Sequence, residues 1–192
     1  MLKNYEKIIV IIISLIFSVF YTYAYSTEIL VSKNNDNARI FDIKFSFSSN
    51  NSVRKNFNIL TDFKNIHRIN PSLVSAEIKS RDSNRLVLKS KFRDCILFFC
   101  REMIMYESII SYCTDRNLCV INSEVIPSDE SPIKSGETSW VIRSSQSIGN
   151  SKIIYHSNFS ATMSLPPFLG ESIFKKTINR NLNFLKDTIG SY

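Results

Sequence analysis

The feature that most constrains the fold is an amphipathic stretch near the C-terminal end. Pro166 and Pro167 stop an extended run. Beyond them, apolar residues recur every three or four positions, which places them on one face of an α-helix. This stripe comprises Leu169, Ile173, Phe174, Ile178, Leu182, Leu185 and Ile189. A helix of about 22 residues is about 33 Å long, so it needs an apolar partner of similar length.

That helix is predicted to end at Gly190, because glycine adopts the left-handed conformation of a helix C-cap at little cost.

The residues before the helix read mostly as strands. Residues 40–48 alternate cleanly, with Phe41, Ile43, Phe45 and Phe47 on one face, as in a half-buried strand. Two short helices are predicted next, the first from Val53 and the second near Ile66, ending before Pro71. Six further strands are predicted over residues 73–79, 85–93, 101–112, 118–126, 138–144 and 151–163, with a loop at 127–137. The prediction is an α+β fold in which a curved antiparallel sheet of about seven strands wraps a long C-terminal helix, with two short helices after strand 1.

The N-terminal residues are typical of a secretory signal peptide. Lys3 and Lys7 precede an apolar run at residues 8–20, and Thr22 and Ala24 supply small residues before a cleavage site. The run is short for a membrane span, although an uncleaved anchor is the alternative. The predicted organisation is a signal peptide at 1–24, a flexible leader at 25–37 and one domain at 38–190, in a protein that is secreted or periplasmic after cleavage near Ala24.

The cysteines are expected to form disulfides. An even number in an exported chain favours disulfides over zinc, and the sequence has neither a CxxC motif nor a nearby histidine. Two cysteines five apart on one extended strand would be about 16 Å apart, too far to bond. If the chain turns between them, they face each other across a hairpin. This argument pairs Cys95 with Cys100 and Cys113 with Cys119.

Composition narrows the class of function. The chain has 192 residues, a net charge of +7 and 14 phenylalanines, enough for a large core or an apolar cavity. The basic residues are scattered, and export argues against a nucleic-acid partner. No phosphate loop, metal motif or nucleophile elbow is present. We assign no catalytic residue, metal or cofactor: His156 is expected at the surface, and Glu102 and Glu107 on opposite sides of a strand.

The order of elements, together with three segments, resembles the START-like (SRPBCC) helix-grip superfamily, which includes the birch pollen allergen, polyketide cyclases and dehydrases, and coenzyme-Q-binding proteins. The segments are residues 60–72, Gly136 to Trp140, and Pro166 to Gly170. The resemblance covers about residues 36–190. The last two segments resemble those of exported bacterial members. It implies a cavity between sheet and helix, and the superfamily hosts carriers, enzymes and interaction modules alike.

Several apolar side chains are candidates to line that cavity, although such residues are more often ordinary core. They are Phe45, Leu88, Phe92, Met103, Met105, Trp140, Tyr155, Phe168 and Phe174. Methionine suits an adaptable apolar pocket. A one-residue shift in the strand would exchange Met103 and Met105 for Ile104 and Tyr106.

In a meander, alternate connections lie at the same end of the sheet. The turn after Arg93, the loop at 127–137 and the exit of the last strand should therefore cluster, at the end that resembles the family's usual cavity mouth. The turn carries four large apolar residues, Ile96, Leu97, Phe98 and Phe99. They could form a gate that touches membrane or ligand, or fold back onto the C-terminal helix as core.

The sequence thus favours a non-enzymatic carrier or sensor of an apolar molecule, such as a lipid or isoprenoid quinone, outside the cytoplasm. The alternatives are a cyclase or hydrolase that uses the same cavity, and a protein-interaction module that uses the apolar tip.

The gate hypothesis predicts that changing both Phe98 and Phe99 to Ser reduces binding to liposomes or to an apolar ligand, because the apolar contact surface is lost. Vesicle co-sedimentation measures the effect, and circular dichroism checks the fold. Unchanged binding by a folded double variant would refute the gate.

Overall fold

The computed structural model describes residues 26–33, 38–83, 85–96, 99–145, 149–162 and 170–192, and for residues 94–96 and 99–101 it describes the backbone alone. The strands are β1 (Ser26–Lys33), β2 (Arg39–Ser49), β3 (Leu73–Arg81), β4 (Leu86–Ile96), β5 (Phe99–Cys113), β6 (Leu118–Ile126), β7 (Ile133–Ser144) and β8 (Ser151–Ala161). The helices are α1 (Val53–Thr61), a short 3₁₀ helix (Ile66–Arg68) and α2 (Gly170–Ser191).

The strands form one antiparallel sheet with the order β1-β2-β8-β7-β6-β5-β4-β3. Strands β3 to β8 run as a meander, and β2 then pairs with β8 in register from Arg39↔Ala161 to Ser49↔Ser151. The chain is therefore α+β, with a curved sheet and a long C-terminal helix, as predicted.

Two details of the sheet differ from the sequence prediction. Residues 26–33 lie in the predicted flexible leader but form β1, which pairs with β2 from Ser26↔Ser46 to Lys33↔Arg39. The sheet therefore has eight strands, and the short helices follow the second. The predicted loop at 127–137 is also shorter, because Ile133 already pairs with Ala161. In both segments, pairing with a neighbouring strand outweighs a polar local sequence.

The core lies between the inner face of the sheet and the helices. All four apolar residues of β2 that were predicted on one face are buried, with exposed fractions of 0 to 2% for Phe41, Ile43, Phe45 and Phe47. Helix α2 contributes Leu182, Leu185 and Ile189 to the same core. The apolar face of β2 and the apolar stripe of α2, both predicted from sequence periodicity, are thus buried in the core.

Gly190 does not end α2, contrary to the sequence prediction. The helix continues to Ser191, and among the described glycines only Gly149, in the turn before β8, has a positive φ. Side chains from α1 and its N-terminal turn satisfy the final carbonyls instead. Asn51 Nδ2 donates to Ile189 O (2.8 Å), and Lys55 Nζ bonds Tyr192 O.

A buried polar network attaches α1 to the sheet. Asn56, which is fully buried, donates from Nδ2 to Ser151 Oγ (2.7 Å) and accepts at Oδ1 from Ser49 Oγ (3.4 Å). Ser151 Oγ in turn donates to Asn51 O (2.9 Å). Since Ser49 and Ser151 are opposed in β2 and β8, this network fixes the helix over one end of that strand pair.

At the other end of the sheet, two of the three connections that were predicted to cluster are in contact. Thr162 N, just after β8, donates to Pro132 O (2.9 Å) in the β6–β7 connection. That connection also reaches β4 and β5, where Glu130 lies 3.8 Å from Lys89 Nζ and accepts from the Tyr106 hydroxyl (3.3 Å).

The β4–β5 hairpin extends farther at this end. Pairing of β3 with β4 reaches Leu73↔Phe92, and pairing of β6 with β5 begins at Tyr106, whereas β4 and β5 stay paired to Ile96↔Phe99. Cys95 and Cys100 oppose each other in this ribbon. Their side chains lie outside the described residues, so their bond stays a prediction. The predicted Cys113–Cys119 disulfide is confirmed.

Replacing Asn56 with Ala should lower the free energy of unfolding by about 1–3 kcal/mol, because two buried serine hydroxyls each lose one of their hydrogen bonds. Urea denaturation measures the change. Asn58→Ala, at an exposed position of the same helix, is the matched control and should have little effect. An equal, small loss in both variants would show that the network does not stabilise the fold.

Candidate functional site

A cavity of about 260 Å³ lies on the inner face of the sheet. Its wall comes from strands β3 to β8 and from the connection between α1 and β3. The lining side chains on strands β4 to β8 include Leu88, Phe92, Met103, Met105, Glu107, Ile109, Ile121, Ser123, Val125, Thr138, Trp140, Tyr155, Ser157 and Phe159. Apolar groups predominate, with a few polar groups among them, which is the usual composition of a small-molecule site.

Six of the predicted cavity residues line this space: Leu88, Phe92, Met103, Met105, Trp140 and Tyr155. The face assignment of the two methionines was therefore right, although contact of any of these residues with a ligand stays a prediction.

Two others lie in the core instead of the cavity wall. Phe45 is buried against Phe47 (ring centroids 5.2 Å apart), and Phe174 packs on Phe41 (4.4 Å). Phe168, Leu97 and Phe98, together with the side chains of Ile96 and Phe99, lie outside the described residues.

The cover of the cavity comes from an unexpected segment. Phe63, Ile66 and Asn70 line it from the α1–β3 connection, next to Leu73 at the start of β3. None of the described residues of α2 is among the lining residues, since α2 packs mainly on β2 and β1. The cavity is thus displaced along the sheet from the position between sheet and C-terminal helix that the sequence predicted.

Polar side chains from four adjacent strands lie together in the cavity wall, and we call them the polar row: Glu107, Ser123, Thr138 and Ser157. Glu107 lies diagonally from Ser123, since it opposes Val125 in the strand pairing. Ser123 opposes Thr138 across β6 and β7, and Thr138 opposes Ser157 across β7 and β8. Ser123 Oγ donates to Glu107 Oε1 (2.8 Å), and the hydroxyls of Thr138 and Ser157 are hydrogen-bonded (2.8 Å). These bonds offset part of the cost of placing polar groups on the inner face.

The polar row lies between two apolar bands. On the side towards the β4–β5 hairpin are Met105, Val125 and Phe159, two residues from their polar-row neighbours on the same strands. On the other side are Ile109, Ile121, Trp140 and Tyr155, of which Trp140 and Tyr155 stack at 4.3 Å. A molecule in the cavity would therefore meet apolar surface, then polar groups, then apolar surface again.

Burial in the cavity wall raises the pKa of two side chains, Glu107 and Tyr155. Burial raises the pKa of Glu107, and the hydrogen bond from Ser123 offsets only part of that effect. Burial also raises the pKa of Tyr155, which the hydroxyl of Ser157 partly counteracts and the nearby Glu107 increases further. Both effects favour the neutral forms, because a charge in an apolar wall is poorly solvated.

Sequence reasoning missed Glu107 as a site residue. The opposite orientations of Glu102 and Glu107 were predicted correctly: Glu102 is exposed and pairs with Lys91 (2.8 Å). The signal for Glu107 was its parity, since Met103, Met105 and Glu107 alternate on one strand and must share a face. Once the methionines were placed in the cavity, Glu107 had to follow.

Other candidate groups lie elsewhere. His156 is on the outer face, where its Nε2 lies 3.1 Å from Asp42 Oδ1. Within the described part of the chain, no cluster of His, Cys, Asp and Glu could hold a metal ion. No helix in the same part is long and apolar enough to cross a bilayer.

The raised pKa of Glu107 predicts a pH-dependent stability. The folded chain holds the Glu107 proton more tightly than the unfolded chain does, so stability falls as pH rises from about 4.5, the ordinary value, through the raised value. Glu107→Gln keeps the acceptor for Ser123 and removes the ionisation. Its free energy of unfolding relative to the original chain should therefore increase with pH over that window.

Glu102→Gln is the matched control on the same strand. Lys91 lowers the pKa of Glu102, so its contribution has the opposite sign and is lost as pH falls. Urea titrations over a series of pH values distinguish the two variants. A pH-independent difference for Glu107→Gln would show that Glu107 titrates normally.

Comparison with solved structures places the fold among known proteins. The aromatase/cyclase Zhui from Streptomyces sp. R1128 is 12% identical, with a TM-score of 0.62 over 79% of this chain and 93% of that chain. A STAR-related lipid transfer protein fragment from Xanthomonas axonopodis is 10% identical, with a TM-score of 0.62 over 84% and 98% of the two chains. Human StAR-related lipid transfer protein 5 is 7% identical, with a TM-score of 0.64 over 93% and 92%.

Identities this low establish the fold alone. No curated protein matches the sequence. The profile of one family, described as polyketide cyclase / dehydrase and lipid transport, matches residues 49–186, which is more than half of the chain. The chain therefore belongs to this family, within the START-like helix-grip superfamily that the sequence resemblance predicted.

Proposed function

We propose that this protein binds an apolar ligand in the cavity and acts as its carrier or sensor outside the cytoplasm. The observation that carries the proposal is a cavity with predominantly apolar walls on the inner face of the sheet. Moving apolar surface of a ligand from water into such a site is favourable by about 25 cal/mol per Å². Proteins that share this fold include some named for lipid transfer and for cyclisation, so the fold allows this function without requiring it.

The size of the cavity limits the ligand. A volume of about 260 Å³ is near the lower end of the range for small-molecule sites, about 300–1,000 Å³. The proposal therefore favours a compact ring system, a quinone head group or a single short chain over a lipid with two long chains.

Location and partners follow from the sequence. The proposed export rests on the signal-like residues 1–24. Peripheral membrane contact is proposed from the apolar residues of the β4–β5 tip and from the net positive charge, which suits an anionic membrane surface. No nucleic acid is proposed as a partner.

An enzyme is the second candidate, and one observation favours it. Glu107 and Tyr155 are proton donors or acceptors within the same cavity, and burial has raised the pKa of both. Enzymes of acid–base type use carboxyl groups tuned in this way. Loss of turnover in Glu107→Gln with ligand binding retained would support this candidate over a carrier.

The first experiment is native mass spectrometry of the mature, oxidised protein, with organic extraction of any bound molecule. A co-purifying lipid or quinone supports a carrier and identifies the ligand class. A clean mass after incubation with membrane extract would contradict the proposal.

The only tryptophan, Trp140, lines the cavity and can report binding directly. A short-chain isoprenoid quinone should quench its fluorescence, because the quinone would lie within contact distance of the indole. Val125→Phe places a ring in the cavity and should weaken quenching about tenfold or more, since a filled pocket excludes the ligand.

Val74→Phe is the control, because it makes the same change at an exposed position of β3. It should quench like the original chain. Equal quenching in a folded Val125→Phe variant would show that the quinone binds elsewhere.

A further inference from the structure

The polar row indicates that a ligand carries a polar atom in addition to its apolar surface. Four polar side chains from four adjacent strands converge between apolar bands. The hydrogen bonds among these side chains leave some of their donors and acceptors available to a ligand. Two hydroxyls joined by one hydrogen bond, as Thr138 and Ser157 are, retain one O–H that can donate. Glu107 uses Oε1 to accept from Ser123, and within the described residues its Oε2 has no hydrogen-bond partner.

We propose that the polar row binds the hydroxyl or carbonyl oxygen of an uncharged apolar ligand, with the carboxylic acid of Glu107 as hydrogen-bond donor. This inference rests on the proposed function, and it names the chemical class of the ligand. The polar end would lie at the row while the apolar remainder contacts one or both apolar bands.

Charge supports an uncharged ligand. Among the described lining residues there is no Lys, Arg or His, so the anion of a fatty acid would meet no cation. It would instead meet Glu107, and a single hydrogen bond from a neutral carboxylic acid does not offset the cost of taking a carboxylate out of water. The only other carboxylate in the described lining is Glu137, whose side chain is exposed.

The geometry also favours a neutral carboxylic acid over an ionised carboxylate at Glu107. In the low-dielectric wall, an ionised carboxylate needs a cation or several donors, and the described residues provide one donor, Ser123. A neutral carboxylic acid needs one acceptor for its proton, and a carbonyl or hydroxyl oxygen of the ligand supplies it. A cationic amine could also satisfy an ionised Glu107, and the experiment below tests that case.

Five probes with eight carbons each separate these chemistries: 2-octanone, 1-octanol, octane, octanoate and octylammonium. Each is titrated into the mature oxidised protein at a series of pH values upward from about 4.5, with Trp140 fluorescence and calorimetry as readouts. The preference for ketone and alcohol is expected at the low end of the series, where Glu107 is protonated. The ketone and the alcohol should bind about tenfold more tightly than octane, the gain expected from one hydrogen bond in the cavity. Octanoate should bind more weakly than octane.

Three variants assign the effect to the polar row. Glu107→Leu should reduce ketone affinity to that of octane, whereas Glu107→Gln, whose amide still donates, should retain it. Thr138→Val removes the second hydroxyl pair without changing Glu107 and should weaken alcohol binding. Glu102→Gln, on the outer face of the same strand, should bind every probe as the original chain does.

The pH dependence gives an independent readout. Ketone affinity should fall as pH rises through the raised pKa of Glu107 and should be constant in Glu107→Gln. Of the described lining residues, Glu107, Glu137 and Tyr155 titrate. Glu137 is exposed, and the pKa of Tyr155 is raised above 10.0, so neither accounts for a change at mildly acidic to neutral pH.

Each outcome separates the two proposals. If all probes bind with equal affinity, or if Glu107→Leu keeps the preference for the ketone, the inference fails and the apolar cavity stands. If octylammonium binds most tightly and Glu107→Gln abolishes that binding, the ligand is a cation and the inference is overturned. If no probe binds to the folded protein, both proposals fail.

Discussion

The pairing of β2 with β8 is the contact on which the rest of the structure depends. It joins residues more than a hundred positions apart and runs in register over the whole of both strands. Because β8 ends the meander and β2 precedes it, this pairing connects the N-terminal strands to the rest of the sheet. It also opposes Ser49 and Ser151, which hold Asn56 and so set α1 over the core. A register shift of one residue would turn the phenylalanines of β2 outward.

The cavity is a consequence of how the sheet is covered. Helix α2 packs on the β1–β2 side, and the α1–β3 connection reaches across the other strands. Part of the inner face of the sheet lies between the areas that these two segments cover, and no large side chain packs against it. The polar row occupies that surface, where Glu107, Ser123 and Thr138 replace the apolar residues that a filled core would contain. Polar groups inside a protein cost stability unless they are bonded, which is why a hydrogen-bonded row in an apolar wall indicates a use.

Much of the fold could be predicted because the patterns are local. Strands β2 and β4 alternate, so the faces predicted for their apolar residues were correct, and α2 has an uninterrupted stripe that ends at Ile189. Predictions failed where contact with a distant strand or side chain determines the local conformation. Residues 26–33 look like a polar leader but pair with β2, and Gly190 continues a helix whose carbonyls Asn51 and Lys55 satisfy.

The sequence by itself determined the α+β class, the inward faces of β2 and β4 and the partners in the Cys113–Cys119 disulfide, because side-chain period and hairpin spacing are properties of short segments. Tertiary structure alone decided where the empty space lies and which inward residues border it. Phe45 and Met105 both point inward, yet one is packed in the core and the other lines the cavity. The two residues differ because of where α1, the α1–β3 connection and α2 lie on the sheet. A cavity is the space that several distant segments leave unfilled, so no short segment can reveal it.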